Sequence, residues 1–126
     1  MSEPADIHVG DVGTVYQVPC YDNDLSRVNF DPTSAATKQL IFSMPGASTP
    51  LARTAIAVQV TINAVAVWCL AYTVVAADVV AGQFHQQPGP VKLQGYLQYS
   101  AAQSWKSSVV ATDQQGRALQ VVANIT

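Results

Sequence analysis

Seven to eight short strands, separated by turn clusters, predict that this 126-residue chain is all-β, a sandwich or small barrel. Three observations carry that reading. Apolar and polar residues alternate with period 2 along several segments. Clusters of Asp, Asn, Ser, Pro and Gly punctuate those segments. Helical signal is confined to one turn at residues 75–81, with Gly82 as its stop.

The elements follow in order. Val12, Thr14, Tyr16 and Val18 share one face of a first strand. Leu40, Phe42 and Met44 share a face of the next, which Pro45-Gly46 ends. Ile56, Val58, Val60 and Ile62 alternate with Ala57, Gln59, Thr61 and Asn63, the signature of a half-buried strand. Residues 65–75 are rich in Val, Trp and Tyr and continue as strand, with Asn63-Ala64 as a turn or bulge. Val91, Leu93, Gly95, Leu97 and Tyr99 alternate with Lys92, Gln94, Tyr96 and Gln98. Residues 105–111 form another short strand, and Leu119, Val121, Ala123 and Ile125 face one way in the last. Each strand is expected to turn its apolar face inward, leaving an outer surface of Gln, Ser, Thr and Ala. The longest loop, residues 19–37, is an expected interface element.

Composition bounds the function. Apolar residues make up 49%, enough for one core, so residues 1–126 read as a single domain with residues 1–8 as a flexible or interface-bound arm. Charged residues make up 11% against roughly 25% in an average soluble protein. The net charge of −2 and six basic residues exclude both disorder and a nucleic-acid binder that works through a basic surface. The acidic, polar start at Met1-Ser2-Glu3 gives no secretory signal, so synthesis and assembly are expected in the cytoplasm. Residues 54–77 are 24 positions without a charge, long enough for a membrane helix. Gln59, Thr61 and Asn63 together with the period-2 pattern assign them to strands instead, and no membrane partner is expected.

Chemistry is sparse. Cys20, Cys69, His8 and His85 have no metal-ligand spacing, so neither metal nor cofactor is expected. The frequent burial of Cys favours two reduced core thiols over one bridge. Asp22-Asn23-Asp24 opens like a calcium loop, but Arg27 stands where glycine is needed and Thr33 where the bidentate Glu belongs. Asp78 and His85 invite comparison with a hydrolase pair. No Gly-x-Ser-x-Gly elbow accompanies them, and His85 among Gln83, Gln86, Gln87 and Pro88 reads as an exposed polar loop. His8 and Asp11 offer no better acid/base pair, and Gly10-x-x-Gly13 is too short for a dinucleotide fingerprint. The chain is therefore read as a non-enzyme. Weakly charged surface suits protein–protein contact better than free solvent, which points to a subunit of a larger assembly. Its expected contact residues are Tyr21, Phe30 and Phe84, in or beside loops, and Tyr96 on a polar strand face. The alternative is a carbohydrate- or receptor-binding module using Tyr96, Tyr99 or Trp105.

Four segments carry a family resemblance. They are Ile7-His8-Val9-Gly10-Asp11-Val12-Gly13-Thr14, Leu40-Ile41-Phe42-Ser43-Met44-Pro45-Gly46, Leu93-Gln94-Gly95-Tyr96-Leu97-Gln98 with Trp105-Lys106-Ser107-Ser108, and Val121-Val122-Ala123-Asn124. In order and spacing they resemble the N-terminal domain of phage baseplate upstream proteins and related tail-fibre attachment proteins. The resemblance implies an immunoglobulin-like antiparallel β-sandwich without enzymatic activity, present in several copies in a virion tail. It implies baseplate or fibre proteins and further copies of the chain as partners; a head-decoration protein shares the same assembly logic. The immunoglobulin disulfide does not fit, because Trp68 immediately precedes Cys69, where that framework sets its buried Trp on a separate strand between the two cysteines.

Overall fold

The structure, a computed structural model, describes residues 6–22, 28–112 and 118–122. Its elements are β1 (Asp6–His8), β2 (Val15–Pro19), β3 (Thr37–Ser43), β4 (Leu51–Thr54), β5 (Ile56–Ile62), β6 (Val65–Thr73), a 3₁₀ turn (Ala76–Asp78), β7 (Gly89–Pro90), β8 (Lys92–Ser100), β9 (Gln103–Lys106) and β10 (Gln120–Val122). The chain is all-β. The strands form three sheets, ordered β2-β6-β5, β4-β3-β8-β9 and β1-β10-β7. Every pairing is antiparallel except β1 with β10. Of the expected N-terminal arm, residues 6–8 are therefore sheet, and residues 1–5 lie outside the described residues.

The two larger sheets face each other, as in a β-sandwich. Tyr16 and Val18 of β2 and Leu70 of β6 meet Leu40 and Phe42 of β3 and Leu93 and Leu97 of β8 in one buried cluster. These residues alternate along their strands, so the period-2 reading of β2, β3 and β8 holds. Val12 departs from it: it is exposed and precedes β2, which begins at Val15. The strand expected at 105–111 lies earlier, at β9, leaving Val110 as an isolated bridge to Leu93. Ala123 and Ile125 lie outside the described residues.

Two turns follow from their residues. The β3 strand ends in a turn closed by Ala47 N–H to Met44 C=O at 3.1 Å. Pro45 fixes its second position, and Gly46, at φ +87°, takes the left-handed third. Asn63 (φ +52°) and Ala64 (φ +66°) make a two-residue turn in which both residues are left-handed, the type that matches strand twist. The 24 uncharged residues thus contain a β-hairpin, and no helix among the described residues is long and apolar enough to cross a membrane.

One strand places its apolar row on the side of its sheet away from the shared core. β4 and β5 are a single extended run that changes sheet at Ala55, a buried corner residue. On β4, Arg53 stands opposite Leu40 and Leu51 opposite Phe42, so the odd-numbered positions face inward. Parity is preserved through the corner. Ala57, Gln59 and Thr61 therefore share the side of Leu70, Trp68 and Ala66, yet Gln59 and Thr61 are exposed. On the other side Ile56 is 64% exposed, while Val58, Val60 and Ile62 are half-buried. The half-buried strand expected at 56–62 is present, with its apolar row on the side away from Leu70 and outside the shared core cluster.

Candidate interaction surface

The outward apolar row does not stand alone. Register places Val58 beside Cys69, Val60 beside Val67 and Ile56 beside Ala71 on β6, with Pro19 and Gln17 of β2 on the far side. Val67, Cys69 and Ala71 are buried yet stand apart from the main core cluster. Val15 and Val65, at opposite ends of the face, are 53% and 60% exposed. The result is a β-branched, uncharged sheet face on which Ile56, Val15 and Val65 are exposed, Val58, Val60 and Ile62 half-buried, and Val67, Cys69 and Ala71 buried. Contiguous apolar surface of that kind marks an interaction site.

The other sandwich face behaves as expected. The outward positions of β3 and β8 include Gln39, Gln94, Tyr96 and Gln98, with Lys106 paired to Tyr96 on β9. The two outer faces of the sandwich therefore differ in chemistry, one apolar and one polar. Gln, Ser and Thr describe the second and not the first, which corrects the expectation of a uniformly polar exterior.

The four expected contact aromatics fall in three places. Tyr21 and Phe30 converge on Trp105: its indole N–H donates to the Tyr21 carbonyl at 3.0 Å, and its ring meets Phe30 edge-on at 5.2 Å between centroids. This contact pins the residue 19–37 loop to β9. Tyr96 is half-buried on the polar face, its hydroxyl bonded to Gln98. Phe84 corrects the expectation of a surface anchor, being 0% exposed. It stacks edge-on with Phe42 at 4.8 Å, and the Arg53 guanidinium lies 5.1 Å from its ring centroid. A large apolar ring in a short loop had no cheaper place than the sandwich's open side.

His85 is likewise fully buried, against its reading as part of an exposed polar loop. Its backbone is left-handed at φ +57°, which turns the ring inward. The Asp11 carbonyl, 2.8 Å from Nδ1, can only accept, so Nδ1 carries the proton. In the neutral ring Nε2 then accepts from the Tyr16 hydroxyl at 2.8 Å. Both ring nitrogens are thus engaged, and burial pushes the Tyr16 hydroxyl well above its usual range, with the Asp11 charge adding to it. The missed signal was the flanking Phe84: polar neighbours outnumbered the one residue that anchors the loop.

Asp78 belongs to a different network. Its carboxylate accepts from Arg53 Nε at 2.9 Å, from the Val75 N–H at 3.0 Å and from the Tyr72 hydroxyl. Arg53 also donates to Gln83 at 2.8 Å. Burial alone would raise the Asp78 pKa; the three donors outweigh it and hold the carboxyl below its usual value. No hydrogen bond joins Asp78 to His85. Asp22 and Asp31 each cap a local turn, accepting from the Val28 and Thr33 N–H groups, as Asx residues do. Residues 23–27 of the calcium-like segment lie outside the described residues.

Cys20 and Cys69 are buried thiols not joined by a disulfide. Burial, with the nearby Cys69 thiol second, pushes Cys20 up to about 12, so it stays protonated and poorly nucleophilic at neutral pH. Among the described residues no three His, Cys, Asp or Glu side chains are grouped to hold a metal ion. Comparison with family models, curated proteins and solved structures finds no match to this chain.

Proposed function

We propose that the chain is a structural subunit of a phage tail, a baseplate or tail-fibre connector that works by assembly with other protein subunits. The observation that supports the assembly part is the open, uncharged edge of β5 with exposed Ile56 and Val65 beside it. An unprotected edge strand flanked by exposed β-branched residues is a natural site for another subunit to add to. The placement in a tail rests on the sequence resemblance, and the structure makes physical sense of one of its motifs. Gly95 N–H donates to Ser107 Oγ at 2.8 Å, and Ser107 N–H returns a bond to the Gly95 carbonyl at 3.0 Å. A Cβ on Gly95 would lie 3.2 Å from Leu70 and 3.4 Å from Trp105. The Gln-Gly strand and the Trp-x-Ser turn are thus one packed unit.

The sandwich is proposed to be immunoglobulin-like. In support, β2-β6-β5 opposite β4-β3-β8-β9 matches strands B-E-D opposite C′-C-F-G when the chain is read in order. The tail assignment is tested by mass spectrometry of purified tailed particles and by the position of the gene. Peptides of this chain in the particles, from a gene among tail genes, are the expected result. A chain absent from particles and encoded away from tail genes overturns the reading.

A further inference from the structure

We infer that a second copy of this chain pairs with the free edge of β5, antiparallel about a two-fold axis at Gln59. The inference rests on the assembly reading and deepens it by naming the partner and the register.

Among the described residues β5 pairs on one side alone, with β6. Natural edge strands are protected by charges, prolines, bulges or shortness. β5 has none of these. It runs seven residues, pairs with β6 without a register shift, and lies in a stretch with no charge and no proline between Arg53 and Asp78. The tight turn after Ile62 makes Ile62 and Val65 a hydrogen-bonded pair. Alternation then directs the N–H and C=O groups of Ala57, Gln59 and Thr61 to the open edge.

The sequence of β5 is complementary to itself. Pairing about Gln59 gives full seven-residue overlap, with Ala57 opposite Thr61, Gln59 opposite Gln59, and every edge-directed group matched. On the outer face Ile56 meets Ile62 and Val58 meets Val60, so β-branched residues adjoin β-branched residues across the axis. A two-fold interface makes each pair reciprocal, and with no charge in β5 it brings no like charges together. An uncharged strand suits a copy of itself better than a charged partner. The apolar face then continues across both subunits.

The test is sedimentation of the full chain over a range of concentrations, with two variants. The expected result is a reversible dimer of twice 13.4 kDa. Gln59→Cys should form an intermolecular disulfide on mild oxidation, since facing residues in such a pair lie about 5.5 Å apart at Cα. Thr61→Cys should not, because its copies are offset along the strand. Thr61→Pro removes an edge-directed N–H and should weaken the dimer at least tenfold while the monomer stays folded. If that variant does not fold, the Gln59→Cys cross-link decides. A protein that stays monomeric at every concentration, or a dimer without that cross-link, overturns the inference. A monomer found in tailed particles overturns the pairing alone; a dimer absent from them overturns the tail assignment alone.

Discussion

Asp78 shows how a single carboxylate ties three elements together. It receives Arg53 from β4, Tyr72 from β6 and the backbone of its own 3₁₀ turn. Its carboxyl is held below its ordinary value, so the folded protein prefers the ionised form more than the unfolded chain does. The sign follows from linkage: this contribution is complete above the unfolded value of about 3.9 and is lost as pH falls through the lower, folded value. Stability measured by denaturant between pH 6 and pH 2 should fall across that acid window. In Asp78→Asn that fall should be shallower, and the variant at pH 7 should be less stable by about 1.5–3 kcal/mol through loss of charge-assisted bonds. An unchanged acid slope would show that the network does not couple to folding. Little of this was visible in the sequence. Asp78 and His85 attracted attention as a pair, whereas burial gave each a separate partner set that sequence proximity does not encode.

At the scale of elements, the β5–β6 hairpin carries both the success and the failure of sequence reading. Its existence, its period and its turn at Asn63-Ala64 were legible because alternation and turn chemistry are local. Which side of the sheet its apolar row takes was not, because parity is inherited from β4 through Ala55. β4 itself, four residues with half-buried Leu51 and Arg53, gives too short a pattern to read. The hairpin turn also contains a local conflict. Ala64 sits at φ +66°, where a Cβ crowds the carbonyl and costs roughly 1–2 kcal/mol. Ala64→Gly relieves it at the expense of greater freedom in the unfolded chain, for a net gain of about 0.5–1 kcal/mol. A denaturant midpoint that rises with unchanged slope is the expected result; a lower midpoint would mean that the left-handed turn is not the native one.

The whole molecule is held as one unit by contacts between its sandwich and its smallest sheet. Strands of two or three residues, as in β1, β7 and β10, have no stability alone. This sheet persists because Ile7 and Val121 enter the common core, Val91 N–H bonds to Leu119, and His85 grips the Asp11 carbonyl just past β1. Sequence reading found the last strand, with Val121, but not β1 or its parallel pairing with it, since three residues carry no period and the pairing spans more than a hundred positions. Ile7 is the side chain on which β1 depends, being 5% exposed in an otherwise short strand. Ile7→Ala should cost about 2–5 kcal/mol if the sheet and the sandwich open together, because a buried branched side chain is lost from a shared core. If instead the sheet opens by itself, the loss is confined to it. Hydrogen exchange separates the two cases. The expected outcome is faster exchange at the amides of residues 6–8 and 120–122 and a smaller, uniform acceleration across β3 and β8, since the small sheet draws its protection from the sandwich while the sandwich keeps Leu40, Phe42 and Leu97. Equal loss at both would mean that β1 is integral to the global unfolding unit, and no change at β1 would mean that Ile7 does not anchor it.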